Sequence, residues 1–210
     1  ETKAAQSAQD LARKQAEQAN EAKSRFLATM SHEIRSPLTA IMGMNGMLLE
    51  SGLTAPQMEI ASTLNDGSEV LLSLINDILD FSKIEAGKMP IEEKPFSLTQ
   101  LLNNMSVIVD TIAESKGLVF DYKISPETPS DLIGDASRIN QILLNLCSNA
   151  VKFTDEGEIK VEISAYPAEK GLYHLLIEVK DQGIGIPSEV LPKLFHSFSQ
   201  ADTSTTRKYG

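Results

Sequence analysis

The segment Met30-Ser31-His32-Glu33-Ile34-Arg35-Ser36-Pro37-Leu38 lies within a long stretch of helical sequence, around which the first half of the chain is organised. Apolar residues recur here at intervals of three and four, the period of an amphipathic helix. At about 100° per residue, His32 lies roughly 160° from this apolar stripe. We therefore expect an imidazole, followed directly by a carboxylate, on the solvent side of a helix. The stripe contains Leu27, Met30, Ile34, Leu38, Ile41 and Leu48, with Asn45 among them.

Pro37 interrupts the hydrogen bonding of this helix. It has no N–H to donate to the Glu33 carbonyl, so a bend is expected just past the histidine. The alternative for His32 is an ordinary surface histidine on a charged helix face. A chemical role for it depends on what the remaining sequence supplies.

The composition of the 210 residues restricts the class of protein. Apolar content of 41% and charged content of 23% are ordinary for a folded chain. The net charge of −10 argues against nucleic-acid binding and against adhesion to anionic membranes. The single cysteine, Cys147, excludes an internal disulfide framework and suits a reducing compartment. Because no apolar run could span a bilayer, we expect a cytoplasmic fragment without membrane contact, from a parent that is either free or membrane-anchored.

Three regions follow one another along the chain. Residues 1–25 contain neither Gly nor Pro and predict a signalling or coiled-coil helix. Residues 26–88 predict a hairpin of two helices, the second running from about Gln57 to Glu85. Residues 89–210 change to a mixed α/β pattern.

The second helix carries two apolar rows, a wider apolar face than one antiparallel partner would cover. Two such hairpins packed as a four-helix bundle would bury both rows, so we expect a homodimer. The first row is Ile60, Leu64, Leu71, Leu74, Ile78 and Phe81, and the second is Leu72, Ile75 and Leu79.

The α/β region predicts short strands that alternate with helices. Ser97 is expected to cap a helix that runs to about Ser115. Strands are predicted at Ile91–Phe96, Leu118–Ile124, Leu132–Asp135, Glu158–Ala165 and Tyr173–Lys180, with further helices at Ala136–Phe153 and about Glu189–Phe195.

The helix Ala136–Phe153 has one polar face. Amide oxygens are good ligands for Mg²⁺, and lysine is a point charge for phosphate. The alternative is an ordinary solvated face. The polar residues are Arg138, Gln141, Asn145, Asn149 and Lys152, and the residues expected to face the core are Ile139, Ile142, Leu143, Leu146, Ala150 and Phe153.

The segment Asp181-Gln182-Gly183-Ile184-Gly185-Ile186-Pro187 directly follows a predicted strand. Its glycines let the backbone approach a ligand closely, and a carboxylate at a strand end can accept a hydrogen bond from an amino group. The pattern fits neither a dinucleotide fingerprint nor a phosphate loop. The polar run from Ala201 to Lys208 suits either a mobile lid over a polyanion or a disordered loop.

These segments together resemble the two-component sensor histidine kinases. His32–Leu38 is similar to the phosphoacceptor box of that family, and Asn145–Thr154 is similar to its asparagine box. Asp181–Pro187 resembles its first glycine box, and Phe195 with Phe198 resembles its phenylalanine box. The resemblance covers about residues 20–210, and the amino-acid sequence of each box is most similar to that of the hybrid kinases.

The resemblance implies a fold. It predicts an all-α dimeric helical hairpin, a four-helix bundle as a dimer, followed by an α/β two-layer sandwich of the GHKL (Bergerat) type shared with gyrase and the Hsp90 chaperones. The family has a second glycine box after the lid, and this chain stops at Gly210, where that box should begin. The α/β domain is therefore expected to be C-terminally incomplete.

The resemblance also implies roles in the phosphoacceptor box. His32 would take the γ-phosphoryl group of ATP on a ring nitrogen, and Glu33 would accept a hydrogen bond from the other ring N–H. Ser36 stands four residues after the histidine, where phosphatase-competent members commonly have Thr or Asn. Its hydroxyl is compatible with a weak phospho-aspartate phosphatase activity.

On the donor side, Asn149, helped by Asn145, would coordinate Mg²⁺ that bridges the ATP phosphates, and Lys152 would neutralise phosphate charge. The other implied contacts are Phe153 lining the adenine pocket, Asp181 at the adenine amino group, Gly183 and Gly185 allowing close approach, Phe198 in the phenylalanine box, and Gln200 and Arg207 in the lid.

The leading hypothesis is an ATP-dependent protein histidine kinase. It would autophosphorylate His32 and donate the phosphoryl group to an aspartate of a response-regulator receiver domain, in another protein or in the same polypeptide. One alternative is a dimeric signalling scaffold with little catalysis. Another is a chaperone- or topoisomerase-like ATPase, which leaves the His32-Glu33 pair unexplained.

Overall fold

A computed structural model describes the backbone of residues 2–194, and the side chains of these residues except 2–5, 7–17 and 193. The chain divides into two compact units, Glu1–Pro90 and Ile91–Gly210. Four residues of the predicted site region, Phe195, Phe198, Gln200 and Arg207, lie outside the described range, as do the side chains of most of the predicted coiled-coil segment. No described helix combines the length and apolar character needed to cross a bilayer.

The first unit is an antiparallel pair of helices, α1 (Thr2–Leu49) and α2 (Ala55–Glu85). Helix α1 continues through Pro37 without ending. Helix α2 begins two residues earlier than predicted because Pro56 fits the first turn, where an N–H is not needed. The Gln57 side-chain oxygen accepts a hydrogen bond from the Thr54 N–H at 3.0 Å, which helps to fix this start.

Small and polar residues line the seam between α1 and α2. Asn45 Nδ2 donates a buried hydrogen bond of 2.8 Å to the Ala61 carbonyl. Repeats of seven residues keep one face of each helix against the other, and small side chains let the backbones approach. The buried residues are Ser31, Leu38 and Asn45 on α1, and Ala61, Ser68, Ile75 and Ser82 on α2.

Large apolar side chains lie on the outer side of the hairpin. The expectation that the α1 stripe would form one packed face is therefore wrong within a single chain, because only Leu38 and Asn45 of that stripe are buried. The two apolar rows of α2 also differ in burial: Ile75 of the shorter row is buried, and the longer row is largely exposed. Within the α1 stripe and the longer α2 row, eight residues are left between 44% and 68% exposed, and they are called the outer apolar stripe below: Ile34, Ile41, Leu48, Ile60, Leu64, Leu71, Leu74 and Ile78.

The second unit packs two helices against a mixed sheet. Strand β2 (Val119–Ile124) pairs parallel with β4 (Glu158–Pro167), which pairs antiparallel with β5 (Tyr173–Lys180). Strands β1 (Lys94–Ser97) and β3 (Asp131–Gly134) form a separate antiparallel pair. The predicted helical hairpin followed by an α/β sheet is thus confirmed. The elements are β1 (Lys94–Ser97), α3 (Leu98–Ser115), β2 (Val119–Ile124), β3 (Asp131–Gly134), α4 (Ala136–Phe153), β4 (Glu158–Pro167) and β5 (Tyr173–Lys180).

One arc of α4 enters the core, and it only partly matches the predicted arc: Leu143 and Ala150 are buried as predicted, and Ile139 packs against the core. Ile142 and Leu146 are 54% and 43% exposed, whereas Cys147 and Val151 are buried. Helix α4 packs against α3 as well as against the sheet, which turns its buried arc towards Cys147 and Val151. Burial raises the pKa of the Cys147 thiol to about 11.

Two smaller predictions also need correction. The first strand begins at Lys94 rather than Ile91. The helix predicted near Glu189 is a single 3-10 turn at Leu191–Lys193 within the described residues.

The Asp135 carboxylate fixes the beginning of α4. One oxygen accepts a hydrogen bond from the Glu92 N–H at 3.1 Å, and the other accepts from the Arg138 N–H at 3.0 Å. These two backbone donors hold the pKa of Asp135 below its usual range, the Glu92 N–H having the larger effect. One ionised side chain therefore joins the N-terminus of α4 to the segment before β1.

We predict that Asp135 makes the α/β unit sensitive to acid. Because its pKa is lower in the folded than in the unfolded chain, its stabilising effect is present above the ordinary carboxyl pKa of about 4 and disappears as pH falls through the lowered value. Asp135→Asn should therefore flatten the acid dependence of the urea midpoint. Tyrosine fluorescence can monitor it, since all four tyrosines lie in residues 91–210. Glu114→Gln on α3 is the control, and equal acid dependence in both variants would contradict the assignment.

Candidate active site

His32 lies on the exposed side of α1, next to a residue that is buried. Ser31 packs into the seam with α2, while His32, Glu33 and Ser36 are exposed. The imidazole makes no hydrogen bond to another described residue, so its ring nitrogens are open to a reactant. The Ser36 hydroxyl donates a hydrogen bond to the His32 carbonyl at 3.1 Å, which ties it to the helix backbone.

The polar face of α4 presents amide and ammonium groups to solvent. Asn145, Asn149 and Lys152 are all exposed on it. The Lys152 ammonium lies 5.7 Å from the centre of the Phe153 ring, within the range of a cation–π contact. Asn145 also borders a groove between α3 and α4 together with Ile108. Asn149 lies one turn nearer to the end of the helix.

The loop after β5 is joined to the end of α4. The Ile184 N–H donates to the Phe153 carbonyl at 3.2 Å, and the Gly183 N–H donates to Asp181 Oδ1 at 2.9 Å. A Cβ atom at Gly183 would lie 2.9 Å from the Phe153 carbonyl carbon and closer still to its oxygen. Gly185 has a φ of +69°, in the region that favours glycine. Glycine at 183 is thus required by close packing, and at 185 by backbone conformation.

Gln182 also anchors this loop, which sequence reasoning missed. Its side-chain oxygen accepts a hydrogen bond from the Glu158 N–H at 3.2 Å, at the start of β4. It occupies the space that a Cβ of Gly157 would need. In the sequence Gly157 indicates only a turn, and nothing there relates it to residue 182.

The end of α4 and the loop after β5 carry groups that suit a ligand with an amino group and a hard cation. Asp181 keeps its second carboxylate oxygen without a partner among the described residues, so that oxygen can accept from an amino group. The Asn149 amide is likewise unengaged within that range, and its oxygen suits a hard cation. The buried Thr154 hydroxyl has no hydrogen-bond partner among the described residues either. No group of three or more His, Cys, Asp or Glu side chains forms a metal site in the part of the chain that was described.

Two families match the chain in succession. Residues 22–87 match the family described as the His Kinase A (phospho-acceptor) domain. Residues 134–210 match the histidine kinase-, DNA gyrase B- and HSP90-like ATPases. The chain belongs to the two-component sensor histidine kinases. The predicted family is thereby confirmed.

Curated relatives of this chain are described as histidine kinases. The chain is 44% identical over 201 residues to sensor histidine kinase GacS of Pseudomonas protegens, covering 96% of the chain and 22% of that protein. It is 41% identical over 206 residues to hybrid signal transduction histidine kinase A of Dictyostelium discoideum, covering 95% of the chain and 10% of that protein. The chain therefore spans a tenth to about a fifth of the length of these two relatives.

Solved histidine kinases share the fold. Full-length ShkA in complex with AMPPNP matches with a TM-score of 0.69 and 32% identity, over 85% of this chain and 38% of that one. Histidine kinase ThkA in complex with response regulator protein TrrA matches with a TM-score of 0.50 and 26% identity, over 82% of this chain and 49% of that one.

We predict that Gly183→Ala loosens the contact between the glycine loop and α4. The added methyl group cannot fit beside the Phe153 carbonyl, and overpacking of this kind costs about 1–3 kcal/mol. The urea midpoint of this histidine kinase, followed by tyrosine fluorescence, should fall accordingly. Gly134→Ala is the matched control, because its Cβ would make an ordinary 3.5 Å contact with the Phe96 ring. Equal midpoints for the two variants would contradict the close packing.

Proposed function

We propose that this chain catalyses ATP-dependent phosphorylation of its own His32 and passes the phosphoryl group to an aspartate of a receiver domain. Residues 26–88 would act as the dimerisation and phosphoacceptor domain, and residues 89–210 as the ATP-binding domain. The observation that supports this most is the exposed His32-Glu33 pair on a helical hairpin whose chain also carries an ATPase domain.

The acceptor chemistry requires a free imidazole nitrogen. One ring nitrogen of His32 attacks the γ-phosphorus, the bond to the bridging oxygen breaks, and ADP leaves with that electron pair. The Glu33 carboxylate would accept a hydrogen bond from the other ring N–H during the reaction, which would select the reactive tautomer and stabilise the positive charge that develops on the ring. Exposure of His32 serves both halves of the cycle, since a receiver domain must later remove the phosphoryl group.

The donor side is formed by the end of α4 and the loop after β5. Asp181 would accept a hydrogen bond from the adenine amino group, Phe153 would line the ring, and the Lys152 ammonium would offset phosphate charge. A Mg²⁺ ion, when bound, would supply positive charge that offsets the charge of the phosphate groups. Asn149, with Asn145 one turn earlier, would supply amide oxygens to it.

The outer apolar stripe supports a homodimer. The eight residues of this stripe are 44–68% exposed in one chain, and they recur along both helices from Ile34 to Leu48 and from Ile60 to Ile78. A patch of this kind on a folded chain is typical of an interaction surface. Two hairpins that face each other through these stripes would bury them in a four-helix bundle.

The relatives illustrate two ways of supplying a receiver domain, and both would use the same chemistry. One relative is described as a hybrid kinase, and one solved relative is described in complex with a response regulator. We propose a receiver domain as the phosphoryl acceptor for this chain as well. The Ser36 hydroxyl, bonded to the His32 carbonyl, would allow at most a weak phospho-aspartate phosphatase activity.

We predict that His32→Gln abolishes labelling of the complete protein from γ-labelled ATP. The label expected in the wild type is stable in base and labile in acid, as a phosphoramidate bond is. Glutamine has no nucleophilic ring nitrogen, so the variant should not be labelled. His174→Gln is the control, since His174 is also exposed but lies on β5. Labelling that persists in His32→Gln at the level of the control would disprove the proposed function.

We predict that Leu71→Glu converts the dimer to monomers. Burial of a leucine stabilises by about 2 kcal/mol, and each dimer would bury two copies, so the dimer dissociation constant should rise at least about a hundredfold. Light scattering at increasing dilution measures this change. Ser73→Glu adds the same charge on another exposed face of α2 and should leave the mass unchanged. A dimer of normal strength in Leu71→Glu would show that the outer stripe is not the interface.

A further inference from the structure

The C-terminus of α4 has all four of its terminal carbonyl groups paired. The last four carbonyls of any helix lack partners within the helix and need others. Here the Thr154 N–H bonds the Ala150 carbonyl at 3.1 Å, and the Ile184 N–H bonds that of Phe153. The two carbonyls between them, of Val151 and Lys152, both accept from one side chain. That side chain is Lys116, whose Nζ lies 2.9 Å and 3.0 Å from the two oxygens.

Lys116 is itself held in place by the way α3 ends. Its N–H donates to the Ala113 carbonyl, and the Leu118 N–H reaches back to the same carbonyl at 3.0 Å. Gly117 lies between them with a φ of +72°, which is the usual glycine-terminated end of a helix. Leu118 and Ala113 are both buried in the core. The backbone that carries Lys116 is therefore fixed on both sides.

The position of the ammonium group is favourable for charge as well as for hydrogen bonding. The end of a helix carries a partial negative charge, and a lysine there is stabilising. The phosphates of a nucleoside triphosphate adjacent to this helix end would be repelled by the same partial negative charge. The Lys116 ammonium faces the backbone of α4, because it donates hydrogen bonds to two carbonyl oxygens there. It is separate from the Lys152 ammonium, which lies beside the Phe153 ring.

The residues assigned to the nucleotide lie in this same turn of the helix. Asn149 precedes the two carbonyls that Lys116 bonds, and Phe153 follows them. The Phe153 carbonyl in turn accepts a hydrogen bond from the Ile184 N–H of the glycine loop. The neighbouring Gly183 packs so closely against this carbonyl that a Cβ atom would not fit. Any shift of the last turn of α4 would therefore move Asn149, Phe153 and the loop that carries Asp181 together.

We propose that Lys116 is a positioning residue of the nucleotide site, which holds the last turn of α4 against the glycine loop. This inference rests on the proposed function, because it assumes that the site at the end of α4 takes Mg-ATP. Lys116 lies outside residues 134–210, the segment that matches the ATPase family. It acts through the backbone of Val151 and Lys152 and touches no substrate.

The test is the KM for ATP in His32 labelling, together with the affinity for AMPPNP, measured in the complete protein. Lys116→Met should raise KM and weaken AMPPNP binding by about threefold to tenfold, with kcat changed less than about twofold, as expected for loss of a charge-assisted helix-end contact. Lys116→Arg should restore most of the affinity, because a guanidinium can donate to two carbonyls. Lys116→Gln keeps a donor without the charge and should be intermediate.

Controls separate this role from general stability. Lys170→Met removes an exposed lysine from the turn between β4 and β5 and should leave KM unchanged. Asn149→Asp should lose binding altogether and sets the lower limit. A merely structural role would lower the unfolding midpoint of Lys116→Met while its KM, measured well below that midpoint, stayed at the control value. That result would overturn the inference.

The outcomes also distinguish this inference from the proposed function. If the wild-type protein labels His32 and Lys116→Met matches Lys170→Met in KM, the positioning role is wrong and the proposed function stands. If the wild-type protein neither binds AMPPNP nor labels His32, both fail. Should Lys116→Met not fold, Lys116→Gln and Lys116→Arg decide: equal KM values for these two and the wild type would overturn the inference.

Discussion

The hydrogen bond from the Ile184 N–H to the Phe153 carbonyl is the connection on which the nucleotide side of this molecule depends. It joins the last residue of α4 to the glycine loop, and Gly183 lets the two backbones come this close. Because the helix end needs outside partners for its carbonyls, the loop satisfies α4 while α4 fixes the loop. The side chains of Asn149 and Asp181, far apart in sequence, are thereby held on elements that share one backbone contact.

The hairpin follows a different constraint, which is the size of its side chains. Serine, alanine and asparagine, which alternate with Leu38 and Ile75 at intervals of seven, let α1 and α2 pack closely within one chain, and most of the other large apolar residues are left outside. His32 follows Ser31 directly, so the rotation that buries the serine exposes the imidazole. The same helix geometry thus produces an accessible imidazole at the proposed phosphoacceptor and an apolar surface suited to a second copy of the chain.

Sequence periodicity predicted the long helices and most of the strands, because these depend on local patterns, whereas the family was indicated by the resemblance of motifs in a fixed order. It was wrong about Ile142 and Leu146, since a helix with apolar residues over a wide arc does not reveal which part of that arc its neighbours cover. For the same reason it did not show that, of the α1 stripe, only Leu38 and Asn45 would be buried within one chain. Gln182 and Lys116 escaped notice because their partners are backbone groups, and backbone groups leave no signal in a sequence.

Charge explains why these unnoticed contacts matter. The chain carries a net charge of −10, yet its proposed ligand is a polyanion. Long-range attraction therefore does not favour binding, and short-range placement of a few cations has to compensate. A helix C-terminus beside the phosphates would add to the repulsion, since it carries partial negative charge. Lys116 offsets that charge at the carbonyls of Val151 and Lys152, which leaves the Lys152 ammonium available for the phosphates. Salt should therefore change the contributions of the two lysines to nucleotide binding differently. It screens the exposed Lys152 ammonium from the phosphates, whereas the hydrogen bonds of Lys116 to the helix end are short and directional.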